Sequence, residues 1–148
     1  MKRPKATDRA LCLHEAAHAV AAEVLRPRSM IVVEMDYVPG TPDVHGIVYG
    51  DDTEAVCSWD MWSWDDLDMY VAIAAGRYGE EIEPNPEGVH WKADDLLLHR
   101  IWPRLRRKVR RRAKALVRDH ELEIRRVAFA LATKRVMTGA EIREAAWL

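Results

Sequence analysis

The residues best suited by type and spacing to do chemistry are His14-Glu15-Ala16-Ala17-His18. On a helix, side chains four positions apart lie on one face, so the two imidazoles can converge on one Zn²⁺. Glu15 is turned about 100° away and can address a water that the metal activates. Neutral imidazoles leave charge on the zinc, which acidifies the water, and a carboxylate takes the proton as that water attacks a peptide carbonyl. With 6 His and 12 Glu in 148 residues, roughly 0.02 HExxH matches are expected by chance. The pattern is therefore read as a zinc motif rather than as an Ala-rich buried helix that happens to carry two core histidines.

A catalytic zinc takes three protein ligands and keeps an open position. The extension HExxHxxGxxH would need Gly at 21 and His at 24, where Ala21 and Val24 stand, so that class of zinc enzyme is excluded. The third ligand must come from elsewhere, and the candidates are Glu80 or Glu81, His90, and Asp94 or Asp95. Adjacent helical residues point about 100° apart, so Asp94 and Asp95 do not both ligate one metal. Glu80 and Glu81 read more simply as exposed helix carboxylates paired with Arg77.

These groups need elements to hold them. A first helix is expected from Thr7 or Asp8, either of which can cap it, through Ala-rich sequence to Leu25, where Arg26-Pro27 stops it. The β-branched run 30–35, turn chemistry at 38–43 and strand-like residues 44–49 predict a hairpin or small sheet edge. A second helix is expected over 64–82 before Pro84, and a third from Asp94 or Asp95 up to Pro103. From Arg104, apolar residues recur at steps of three and four, which predicts one long helix or two with a break near Asp119. Thr138-Gly139-Ala140-Glu141 matches a capping box and opens a last helix to Trp147. The expected fold is α+β, a predominantly α-helical bundle with a small β-hairpin or sheet next to the HExxH helix, in a single domain over 1–148.

With the motifs in place, the chain resembles the peptidase domain of the FtsH-type ATP-dependent zinc metalloproteases. His14-Glu15-Ala16-Ala17-His18-Ala19-Val20 is similar to that family's HEAGHAV, with Ala17 replacing Gly, and Ala75-Gly76-Arg77-Tyr78-Gly79-Glu80-Glu81 is similar to its GGRAAEE. Ala93-Asp94-Asp95-Leu96 resembles the end of its GAxxDL, whose Asp is the third zinc ligand, and the G-x-E-I of Gly139–Ile142 resembles its helical ending. Position 92, three beyond Val89, is Lys rather than Asp, so the match requires an insertion before the ligand. The resemblance implies zinc held by His14, His18 and Asp95, the residue that precedes Leu96, with Glu15 as general base and Asp94 as a cap or supporting group. It implies a peptidase that acts on peptides or unfolded proteins. No GxxxxGK[ST] phosphate loop is present, so the implied form is a stand-alone domain, working without ATP or with a separate unfoldase as partner.

Composition sets the remaining expectations. The longest uncharged apolar runs fall far short of the roughly 20 residues a membrane span needs, the N-terminus is basic rather than apolar, and Cys12 and Cys57 form no CxxC. A cytoplasmic protein with no membrane partner is expected. From Glu34 to Asp95 the net charge is −14, and from Arg100 to Arg135 it is +11. The alternative reading is a non-catalytic protein whose basic helix 104–118 binds nucleic acid or an acidic partner. Charges that dense should lie all around the helix, so pairing within the chain or between copies in a homo-oligomer is expected, with nucleic-acid affinity weak at most. Gly46–Tyr49 is placed either to take a substrate backbone by strand addition or to form an ordinary core hairpin, whereas Trp59, Trp62 and Trp64 read as core or interface packing.

Overall fold

The computed structural model describes residues 6–36, 55–60, 64–84 and 92–147. Helix α1 (Ala6–Leu25) is followed by strands β1 (Met30–Met35) and β2 (Ala55–Trp59), then helices α2 (Asp66–Glu80), α3 (Lys92–Leu98), α4 (Pro103–Asp119) and α5 (Glu121–Lys134). Strand β3 (Val136–Thr138) and helix α6 (Gly139–Trp147) complete the order. The fold is the mostly helical α+β class that the sequence predicts.

Helix α1 is the axis of the molecule. Every residue from Ala10 to Glu23 is buried, so this helix has no solvent face and its small side chains let neighbours approach closely. A methyl on Gly79 of α2 would lie 2.4 Å from the Ala17 Cβ and 2.6 Å from the Leu13 carbonyl oxygen, so the crossing of α1 and α2 depends on that glycine. Glu23, buried near the end of α1, accepts hydrogen bonds from the Arg28 and Met30 backbone N–H groups and from Arg143, tying α1 to β1 and α6. Such partners are what make a buried carboxylate tolerable.

The three strands are antiparallel in the order β2-β1-β3, with Val33 facing Cys57 on one side and Met137 on the other. The expected strand at 30–35 is β1, while the turn 38–43 and strand 44–49 lie outside the described residues, as do Gly46–Tyr49, Trp62 and His90. Neither β2 nor β3 carries a periodic signal of its own: β2 has one β-branched residue, and β3 is three residues between two helices. The third helix ends earlier than expected. His99, Arg100 and Ile101 continue it only as turns, and Pro103 takes the first position of α4, where its missing N–H costs nothing. The long C-terminal run is two helices, broken at His120, and the capping box forms, with Thr138 Oγ1 accepting from the Glu141 N–H and Glu141 Oε1 from the Thr138 N–H. Among the described residues, no helix is long and apolar enough to cross a membrane.

Candidate metal centre

Two facing helices and one short one build the centre. His14 and His18 stand one turn apart on α1, buried, with their rings nearly perpendicular at 83°. Helix α2 runs alongside and carries what the rings need. Glu80 Oε2 lies 2.8 Å from His14 Nδ1, and the Ala72 carbonyl oxygen lies 2.9 Å from His18 Nδ1. A carbonyl can only accept, so His18 Nδ1 donates, and a carboxylate in the same role makes His14 Nδ1 a donor as well. In the neutral rings the Nε2 lone pairs are then left free, and both aim at the same point.

That point also receives a carboxylate. The two Nε2 atoms are 2.9 Å apart, and Asp94 Oδ2 lies 2.9 Å from His14 Nε2 and 3.1 Å from His18 Nε2. Three lone-pair donors in so small a triangle repel one another unless a cation shares them. Metal–ligand distances of about 2.0–2.2 Å put donors of a tetrahedral site about 3.3 Å apart, so the triangle needs to open by only a few tenths of an ångström to take a zinc ion. Gly76 makes room on the α2 side, since a Cβ there would stand 2.6 Å from His18 Nε2 and 2.7 Å from His14 Cε1. Donor type, spacing and second-contact hydrogen bonds all fit a divalent metal.

The electrostatics agree. Burial alone would lower the His14 pKa, but hydrogen bonds to Asp94 and Glu80 outweigh it and push the ring up to about 10. Desolvation likewise opposes, and Asp94 drives, the upward shift of His18. Asp94, despite burial that would raise it, is held well below the usual carboxylate range by the two histidines. The site demands a positive charge at its centre, and protons meet that demand when no metal is present.

The structure corrects the expected third ligand. Asp94 meets the histidines, and Asp95 does not: its carboxylate turns to Arg110 at 2.6 Å and His99 at 3.2 Å. One residue along α3 is about 100° of rotation, enough to separate the two roles. Glu80 is a second correction, since it is buried against His14 rather than exposed with Arg77; Glu81 takes that surface pairing, at 3.4 Å. Glu15 is buried beside the histidines, and its charge is felt by both rings and by Cys57 on β2. Trp59 of β2 approaches His18, with centroids 6.1 Å apart, and stacks on Trp64 at 5.9 Å, both packed on the core as the sequence suggests.

Val109, Ala113 and Val117 take the core face of α4, which drives most cations to the opposite side: Arg104, Arg107, Lys108, Arg111, Arg112, Lys114 and Arg118 are exposed, while Arg106 and Arg110 are half-buried. Arg110 and Arg112 reach the acidic segment, through Asp95 and, at 3.9 Å, Asp68. No protein-family model matches this chain, and no curated protein matches it.

Proposed function

We propose that this protein is a zinc-dependent peptidase that hydrolyses peptide bonds in peptides or unfolded proteins, related in its site to the peptidase domain of FtsH-type proteases. The observation that carries this reading is the convergence of His14 Nε2 and His18 Nε2 of α1 with Asp94 Oδ2 of α3, within 3.1 Å of one another, with Glu15 buried on α1 beside the two histidines. His14, His18 and Asp94 would hold the metal, with Glu80 and the Ala72 carbonyl fixing the rings. When bound, zinc supplies the positive charge that polarises a peptide carbonyl and acidifies water. Glu15 acts as general base: it removes the proton from the attacking water and passes it to the leaving amine nitrogen, so that water adds across the C–N bond and an acid and an amine are released.

Two unpaired cysteines, Cys12 and Cys57, suit the reducing cytoplasm we propose as its location. The partners proposed are unstructured peptide substrates and, for folded ones, a separate unfoldase. The test is metal content followed by activity. Elemental analysis should return about one zinc per chain, His14→Ala or His18→Ala should lose it, and Glu15→Gln should keep it while abolishing casein hydrolysis. Wild type and Glu15→Gln equally inert with zinc bound would defeat the peptidase reading for that substrate class. Iron in place of zinc would point to oxygen chemistry instead, since two histidines and a carboxylate also serve iron(II).

A further inference from the structure

We propose that Asp95 and Arg110 are positioning residues for the metal: their ion pair fixes the rotation of α3 so that the neighbouring Asp94 carboxylate meets the histidine pair. The inference rests on the reading of His14, His18 and Asp94 as metal ligands, and deepens it by making the basic helix α4 part of the site's frame.

Helix α3 has seven residues, too few to be stable by itself, so it stands where its attachments hold it. Its apolar attachment is thin. Among its residues whose burial is described, Leu96 is 70% exposed and Leu97 37% exposed, and Leu98 is the buried apolar one, in a cluster with Val71, Ala74, Val109 and Ala113. One apolar anchor sets where a helix lies but leaves its rotation loose, and rotation decides whether residue 94 or 95 faces the histidines.

Two polar attachments settle it. Asp94 points to the histidines, and Asp95, on the adjacent side of α3, points to α4 and α2. Arg110 Nη2 donates to Asp95 Oδ1 at 2.6 Å, Arg77 lies 4.0 Å from the same oxygen, and His99 lies 3.2 Å from the other. The Asp95 side chain is 18% exposed, which leaves the pair less screened than a surface one. Arg110 is itself a firm base, because Val109 and Ala113 on either side of it are fully buried. The gap left among Arg77, Tyr78, Asp94, Asp95 and Arg110 is about 10 Å³, room for about one water. The two acids of α3 thus have divided roles, one at the metal and one clamping the helix.

The test measures zinc affinity of the full chain by competition with a chromophoric chelator, with Co²⁺ absorption as a second readout of ligand geometry. Asp94→Asn should lose the most. Arg110→Met should weaken zinc about tenfold or more and lower the intensity of the cobalt bands, as supporting residues of metal sites do. Arg110→Lys, which keeps the charge, should recover much of that loss, and Arg107→Met, on the exposed side of α4, should match wild type. Zinc affinity of Arg110→Met within about twofold of wild type, with unchanged cobalt bands, overturns the inference, as does a greater loss in Asp95→Asn than in Asp94→Asn, which would make Asp95 the ligand. Should circular dichroism show Arg110→Met unfolded, folded Asp95→Asn decides: a loss smaller than that of Asp94→Asn supports the inference, and wild-type affinity overturns it. A wild-type chain that binds neither metal removes the metal reading itself and this inference with it, which is distinguishable from a chain that binds zinc regardless of Arg110.

Discussion

Replacing Gly76 by Ala tests the packing that builds the candidate metal centre. In the middle of an exposed helix this change stabilises by about 0.5–1 kcal/mol, because alanine loses less backbone freedom on folding. At Gly76 the new Cβ would stand 2.6 Å from His18 Nε2 and 2.7 Å from Cε1 of both His14 and His18. Ordinary contact begins at 3.4 Å, so something must yield by about 0.8 Å. The rings cannot turn aside freely, because His14 is bound to Glu80 and His18 to the Ala72 carbonyl. Both partners belong to α2, the helix that carries Gly76, so α2 cannot retreat without stretching the same two bonds. Overpacking of this kind costs about 1–3 kcal/mol, which exceeds the alanine gain. We expect Gly76→Ala to lower the Tm by about 2–8 °C and to weaken zinc binding at least tenfold. Thermal melts followed by circular dichroism, with and without zinc, and chelator competition read both quantities. A higher Tm with unchanged zinc affinity would show that α2 does not press on the histidines as described.

Three further outcomes follow from particular groups. Because His14 is pushed up to about 10 and must be neutral to ligate, zinc binding at pH 7 should release at least one proton per chain, measurable by calorimetry in buffers of different ionisation enthalpy; no release would contradict the charge state given to the histidine pair. Arg135, in the left-handed region at φ 65°, holds both Asp8 and Asp36, so Arg135→Met should lower the Tm at neutral pH by about 2–4 °C with no change in backbone strain, since neither residue is glycine. Arg135 lowers the Asp36 pKa, so this stabilisation is present above about pH 4 and fades as pH falls through the folded value; a gap between variant and wild type that widens in acid would contradict the assignment. The exposed cations of α4 sit on a chain of net charge −1, so duplex DNA should bind no tighter than about 1 μM at physiological salt, and submicromolar binding with a log–log salt slope near −0.9 per phosphate would favour the binding-protein reading.

How much of this centre the sequence reveals depends on how local each feature is. The histidine pair requires only that residues 14–18 be helical, and α1 is built of good helix formers, so that half of the site is legible from five residues. The third ligand is different. Asp94 and Asp95 are equivalent by type, and resemblance to a family motif selects the one before Leu96, but what turns Asp95 away is Arg110, fifteen positions along the chain and on another helix. A local signal did exist: Asp95 and His99 are four apart, the spacing of one helical face, and in the structure they meet at 3.2 Å. The partners of β1 are illegible for the same reason of distance, since β3 lies more than a hundred residues away and is too short to show a period.

Glu80 marks the most instructive failure, because its position was readable. Ala72, Gly76, Gly79 and Glu80 fall at i, i+4, i+7 and i+8, the spacing of a single helical face, and three of the four have side chains no larger than a methyl. A face of that kind is made for close approach to another helix, and a carboxylate in line with it must go into the contact rather than out to solvent. Once buried there, it needs a donor opposite, and the only strong donors on the buried middle of α1 are its histidines. Small residues on α2 and an imidazole pair on α1 are thus two halves of one constraint. The glycines let the helices meet, and the meeting places Glu80 and the Ala72 carbonyl where the two Nδ1 atoms need acceptors. The orientation of the two Nε2 atoms toward Asp94 is therefore a consequence of helix packing.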